Sequence, residues 1–320
     1  MLTNNEPDLQ DIENIVREYL GEGIKSAVRF PTGLCHFVYD LKTLSGHGYA
    51  IRIASSQDSL EQLHGNVYWY DQMVKLGIPV PHMFHHNLAG QFPFVLIERF
   101  PGTDLGNVYS DLTLSQKKNI VHEIVSIQEK VSALPEASGF GYALSYDDPN
   151  LKRHPGWADV IESSLTRARK WIGDVGVCDP RHVDRVARAA RRNGALFKQV
   201  KPTAFLDDTT TKNVIINNGR LSGIVDLDEI CFGDRLYTVA LTNMALLARK
   251  ERTDYIDLWC ERLSLDQNSR TLLALYTAIH CLTFMGEIGQ KFNKEEADVD
   301  RDKIEHFERV LDGLLQALWP

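Results

Sequence analysis

A chain of 320 residues is long enough for two domains, and 43% hydrophobic with 24% charged residues is the make-up of an ordinary globular protein. The net charge of −8, from 35 basic against 43 acidic residues, argues against a nucleic-acid binder and suits a protein that handles cationic small molecules. The five cysteines, Cys35, Cys178, Cys231, Cys260 and Cys281, form no C-x-x-C pair and no disulfide ladder. With an acidic N-terminus that lacks an apolar signal segment and no apolar run long enough to span a membrane, they point to a reduced, cytoplasmic compartment.

Leu9, Ile12, Ile15, Val16, Tyr19 and Leu20 recur at helical spacing, and Gly21 follows as a C-terminal stop. Residues 28–30 read as a short strand broken at Pro31-Thr32-Gly33, and residues 36–41 and 49–54 as two more strands. The turn at Gly33 suits a phosphate chain, because glycine lets backbone N–H groups approach closely; an ordinary hairpin turn explains it as well. Arg52 sits within the apolar stretch YAIRI. A cation in a strand that reads as core needs a partner, and Arg52 is either a bidentate phosphate clamp or a side chain on the solvated face of an edge strand. A helix over about 58–76, with Gly65 in its middle, offers Glu61 and Asn66 to face it. His82, His85 and His86 lack a further ligand at zinc spacing and read as polar surface. Residues 94–100, FVLIERF, form a continuous apolar strand, after which strands give way to helices. This shift divides the chain at about Pro101, into residues 1–100 and 101–320.

In the second part, Thr113-Leu114-Ser115-Gln116 fits a capping box ahead of an apolar helix face. Residues 138–150 read as a loop. Pro180 opens a helix with Arg181, Arg185, Arg188 and Arg192 on one side, for which a solvated face outweighs an anion site. Four more helices are expected over about 236–250, 253–263, 266–290 and 300–318, with Trp259 and Phe284 in the core. Carboxylates in that region, among them Asp254, Glu261, Glu287, Glu295, Glu296 and Asp298, suit a cationic substrate, but any soluble helical region carries as many.

Residues 205–226, FLDDTTTKNVIINNGRLSGIVD, hold the chemistry. Asp208 and Asn213 are followed by an apolar run, the turn Asn217-Asn218-Gly219, and a second apolar run that ends on Asp226. Asn-Gly between two apolar runs is the strongest short-range hairpin signal. The hairpin brings three oxygen-bearing side chains to one end, a set that suits Mg²⁺ held partly by substrate phosphates. It leaves Asp208 to accept a proton from a hydroxyl. Asp and Asn are also common in turns for local reasons; the strand that ends on Asp226 tips the reading towards phosphoryl transfer.

With these residues in hand, the chain resembles the aminoglycoside phosphotransferase family of kinase-like enzymes, and within it the hygromycin B phosphotransferase branch. The resemblance rests on DDTTTKNVIINNGRLSGIVDLDE followed by CFGD, on GIPVP and on IERFPGTDL. It implies an α+β, two-lobed, protein-kinase-like fold, with residues 1–100 as the nucleotide-binding lobe and 101–320 as a helical lobe carrying the catalytic loop. It implies transfer of the γ-phosphoryl group of ATP or GTP, with Mg²⁺, to a hydroxyl of a small molecule. By register, Asp208 takes the place of the catalytic Asp, and Asn213 and Asp226 those of the metal ligands. Asp234 takes the place of a supporting Asp, Arg52 that of the phosphate-contacting cation, and Glu98 to Phe100 the adenine-holding segment. The family's H-G-D has become Leu206-Asp207-Asp208. That departure keeps open a second class, a catalytically degenerate nucleotide-binding module. Aminoglycosides, other amino sugars, amino alcohols and unrelated hydroxylated metabolites are all open as acceptors.

Overall fold

The structure, a computed structural model, describes residues 6–30, 35–290 and 299–318. Gly33 and the carboxylates Glu295, Glu296 and Asp298 lie outside the described residues.

The N-terminal part is a five-stranded antiparallel sheet with one helix on each face. Helix α1 (Leu9–Leu20) starts at Asp8, whose side chain accepts from Asp11 N at 2.8 Å, and stops at Gly21 with φ +73°. Strands β1 (Ile24–Arg29), β2 (His36–Thr43) and β3 (Gly48–Ala54) follow, then α2 (Gln57–Lys75), β4 (Met83–Asn87) and β5 (Phe94–Glu98). The sheet order is β1-β2-β3-β5-β4. Side chains alternate across a strand, so Ile51 and Ile53 join Phe37, Tyr39 and Leu41 in a core covered by Ile12 and Val16 of α1. Arg52 and Ala54 point to the other face, where Ala54 and Val95 pack on Leu63 of α2. Strand β3 is paired on both sides, by β2 and β5, and Arg52 is only 7% exposed. The edge-strand reading of Arg52 is therefore excluded.

The remainder is mostly helical. Strand β6 (Thr103–Asp104), α3 (Leu105–Val108) and α4 (Leu114–Val131) come first. The expected capping box opens α4, with Thr113 Oγ1 accepting from Gln116 N and Gln116 Oε1 from Thr113 N. Then come β7 (Gly141–Ala143), α5 (Trp157–Val175), α6 (Arg181–Arg192), α7 (Gly194–Phe197), β8 (Ala204–Phe205), β9 (Val214–Asn217), β10 (Arg220–Ile224) and β11 (Ile230–Phe232). Helices α8 (Leu236–Ala248), α9 (Asp254–Arg262), α10 (Gln267–Glu287) and α11 (Arg301–Ala317) complete it. The loop expected over 138–150 contains β7, a correction. Its three residues pair with β11, almost a hundred positions away, and so short a run has no periodicity to read. The arginine face of α6 is solvated, with Arg185 reaching Asp312 of α11 at 2.6 Å.

Helix α10 lies through the middle of the second core, against α5, α8 and α11. Trp157, Tyr237 and Tyr276 meet there edge to face and are essentially unexposed. Tyr276 Oη donates to Asp234 Oδ2 at 3.0 Å, and Asp234 Oδ1 accepts from Leu236 N at the start of α8. Asp234 thus ties the CFGD segment to α8 and α10.

Candidate active site

Two small three-stranded sheets, β10-β9-β6 and β7-β11-β8, carry the segment from Asp208 to Asp228 to the base of the five-stranded sheet. The β9–β10 hairpin is the one read from Asn-Gly. Asn218 has φ +50° and Gly219 +73°, the left-handed pair that a tight two-residue turn of the primed type requires. Asn213 stands immediately before β9 and Asp226 two residues after β10. They are joined by the bond from Val225 N to Asn213 O at 2.9 Å. Asn213 Nδ2 donates to Asp208 O at 3.2 Å, so Asn213 closes the Asp208 loop with its amide nitrogen and keeps Oδ1 for another partner.

The loop is also held from below. Gln128 of α4 accepts from Leu206 N at 2.9 Å through Oε1 and donates to Leu206 O at 2.8 Å through Nε2. Thr209 Oγ1 bonds Thr238 Oγ1, and Thr242 Oγ1 donates to Thr209 O. Leu206 is 2% exposed and packs in the core. Gln128 thus supports the backbone of the loop beneath Asp208, and Asp207 takes a negative φ that needs no glycine.

Arg52 reaches into the same place. Its Nη1 donates to Asp228 Oδ1 at 2.6 Å, and its Nη2 to Asp228 Oδ2 and Asp226 Oδ1, both at 2.7 Å. Nη2 also lies 3.3 Å from His36 Nδ1. The Asp228 side chain is 12% exposed and that of Asp226 is 48%. The expected partners of Arg52 need correction. Glu61 is exposed, and Asn66 Nδ2 donates instead to Leu227 O at 3.2 Å. A guanidinium fork matches one carboxylate bidentately, and Asp228, two residues after Asp226 in Asp-Leu-Asp, supplies it. That spacing was the available sequence signal.

Burial and charge set the protonation states. Burial, and then Arg52, push His36 down to about 4, so its ring is neutral at pH 7. Its Nε2, 3.0 Å from Ser59 O, carries the proton, and Nδ1 accepts from Arg52. The 3.8 Å separation of His36 Nδ1 from Asp228 Oδ2 is accordingly no ion pair. Asp226 is half exposed in the cleft, yet desolvation by the protein around it raises it to about 6 against the pull of Arg52. Asp208 opens to solvent in the cleft, yet the protein around it still raises its pKa by desolvation. Burial and the neighbouring Asp208 and Glu229 push Asp207 up to about 8, with Tyr142 Oη 3.3 Å from its Oδ1. Burial and Asp228 raise Glu229 to about 7. Such displaced carboxylates are common at functional sites.

A cavity of about 430 Å³ opens between the five-stranded sheet and the hairpin. Arg52, Glu98, Phe100, Asp208, Asn213 and Asp226 all line it. Of the site residues expected from the sequence, only Gly33 falls outside the described residues. The cavity is also lined by residues that sequence reasoning had not singled out, including His36, Lys212 and Asp228.

A profile of the phosphotransferase enzyme family matches residues 27–272. The chain belongs to that family. Its similarity to hygromycin-B 4-O-kinase of Escherichia coli is 22% identity over 201 residues, covering 62% of this chain and 56% of that protein. A solved structure of a thermostable mutant of aminoglycoside phosphotransferase APH(4)-Ia, in apo form, superposes with a TM-score of 0.68 at 18% identity, covering 95% of this chain and 98% of that one. Another variant of the same enzyme, solved in ternary complex with AMP-PNP and hygromycin B, gives a TM-score of 0.65 at 17% identity and covers 96% and 98%. At such identities the likeness is one of fold, and it is the kinase-like fold expected for the phosphotransferase family.

Whether this family member suits Mg²⁺ can be judged from its donors. Among the described residues no group of three or more His, Cys, Asp or Glu is placed to hold a metal. Those residues are compatible with an ion held mainly by phosphates and water, with one or two protein oxygens. Asn213 Oδ1 and the Asp226 oxygen not bonded to Arg52 are hard oxygen donors on one cavity wall, and they fit that arrangement.

Proposed function

We propose that this chain is a small-molecule kinase, moving the γ-phosphoryl group of ATP or GTP to a hydroxyl of a small acceptor. The observation that carries the reading is the meeting of Arg52 with Asp208, Asn213 and Asp226 around one cavity, although Arg52 lies more than 150 positions before the other three in sequence. In this reading the adenine or guanine lies against Glu98 to Phe100 and the phosphates run towards Arg52. Asn213 and Asp226 hold Mg²⁺, which when bound neutralises phosphate charge. Asp208 orients the acceptor hydroxyl and takes its proton; its raised pKa brings it nearer the operating pH, where a general base works best. Positioning and charge stabilisation carry most of the rate in such transfers, so these few groups suffice.

The acceptor side favours a cationic molecule. Asp207, Asp208 and Glu229 line the cavity together, each with a pKa raised by desolvation, so a protonated amino group placed there favours their ionised forms and offsets that cost. Aminoglycosides and other amino sugars are therefore the first acceptors to try. The test is transfer from ATP and from GTP across a panel of aminoglycosides, amino sugars, amino alcohols and neutral sugars, with the phosphorylated product identified by mass spectrometry. A Mg²⁺-dependent product from an amino-bearing acceptor is expected. No product from any member, together with nucleotide binding indifferent to Mg²⁺, would establish the degenerate binding module instead.

A further inference from the structure

The phosphate cation of the sheet is usefully compared with what holds it. Arg52 lies on the α2 face of β3, yet no acidic side chain of α2 touches it among the described residues. Helix α2 turns Asn66 towards the site, and Asn66 Nδ2 bonds to Leu227 O rather than to the guanidinium. At Gly65, one residue earlier, the helix backbone comes against Asp228 O so closely that a Cβ there would overlap the carbonyl oxygen and stand 2.8 Å from Leu144 Cδ2. Two adjacent positions of α2 thus bear on two adjacent backbone carbonyls, Leu227 O and Asp228 O. The side chain of Asp228 in turn takes Arg52 in a bidentate grip at 2.6 and 2.7 Å. Neutral His36, itself fixed by Ser59 O at the start of α2, occupies the remaining side of Nη2.

We propose that Asp228 is the positioning residue for Arg52, and that α2 sets this pair through its backbone contact with residues 227–228 instead of through an acidic side chain. The inference rests on the phosphoryl-transfer reading above. The helix fixes a segment of the second lobe, and that segment fixes the cation of the first. The orientation of Arg52 towards the phosphates then depends on Asp228, while Arg52 simultaneously steadies Asp226 through Oδ1. A bidentate carboxylate suits this purpose better than a single contact, because it fixes the plane of the guanidinium as well as its position.

The experiment measures affinity for ATP and for adenosine by calorimetry, so it needs no acceptor. The proteins are wild type, Asp228→Asn, Arg52→Met and the double variant. Asp228→Asn keeps the shape and removes the charge. It is expected to weaken ATP binding on the order of tenfold or more, the scale of a hydrogen bond to a charged group, while adenosine binding stays within twofold. In the Arg52→Met background the same change is expected to have no further effect on ATP, because the residue it positions is gone. A general structural role would weaken adenosine and ATP together, and an independent phosphate contact would be additive with Arg52→Met; either result overturns the proposal. So does unchanged or tighter ATP binding in Asp228→Asn, which would make Asp228 a competitor of the phosphates. A wild-type protein that binds no nucleotide would instead overturn the kinase reading itself.

Discussion

At the scale of single residues, Asp208 and Asp207 both line the cavity but are held differently. Asp208 opens to the cavity, and Asp207 is turned towards Tyr142. Replacing Asp208 by Ala removes the proposed base and is expected to lower turnover by about 10²–10⁴-fold, with ATP affinity retained. Wild-type turnover with a verified acceptor would sink the assignment. Asp207 makes a different prediction. Its pKa is about 8 in the folded chain and that of an ordinary carboxyl, about 3.9, when unfolded. Between those values the folded state binds a proton that the unfolded state does not, so stability falls as pH rises from about 4 to about 8. Asp207→Asn, which still accepts from Tyr142, abolishes this dependence. Its melting temperature is expected to exceed that of wild type by more at pH 8.5 than at pH 5.5, the gap widening by at least about 2 °C. A gap that does not change with pH would mean that Asp207 ionises normally. From sequence alone Asp207 was legible only as a departure from the family's Gly, because a displaced pKa depends on the walls around a group and not on its spacing. Arg52 and Asp208 were legible because one is a lone cation in an apolar strand and the other opens a spaced Asp/Asn pair.

At the scale of elements, the β9–β10 hairpin was the most legible, since its turn chemistry is local. Helix α2 was read with a glycine in its middle, and the structure gives the reason for it. In an exposed helix, Gly to Ala would add about 1 kcal/mol of stability. At Gly65 the new methyl group meets Asp228 O and Leu144, and backbone cannot yield as a flexible side chain can. Overpacking of that kind costs about 1–3 kcal/mol and outweighs the propensity gain. Gly65→Ala is thus expected to lower the melting temperature and, by shifting residues 227–228, to weaken ATP binding, both read from thermal melts with and without nucleotide. A melting temperature at or above wild type would show that α2 has room to move away. The support that Gln128 gives the Asp208 loop was not legible, since it joins positions 78 apart by side chain to backbone, with no pattern in either segment. Strand β7 was missed for the same reason.

At the scale of the whole molecule, the sequence was divided near Pro101 because strands give way to helices there. What composition could not tell is how the two parts are joined across the cavity. The Arg52 contacts to Asp226 and Asp228 link positions some 175 apart. Since the cavity is walled by β3 and β5 on one side and by the hairpin on the other, a ligand filling it contacts both parts and stabilises them together. ATP with Mg²⁺ at about 100 times its dissociation constant should add about 2.7 kcal/mol, enough to raise the melting temperature by roughly 5 °C for a chain of this size. Removing Mg²⁺ with EDTA leaves the phosphates facing the carboxylates of Asp208 and Asp226 without the ion between them. The stabilisation by ATP should then fall by more than half, and that by adenosine should not change. An ATP shift that survives EDTA intact would mean that Asn213 and Asp226 hold no metal and that the side-chain cations lining the cavity, Arg52 and Lys212 among them, balance the phosphate charge.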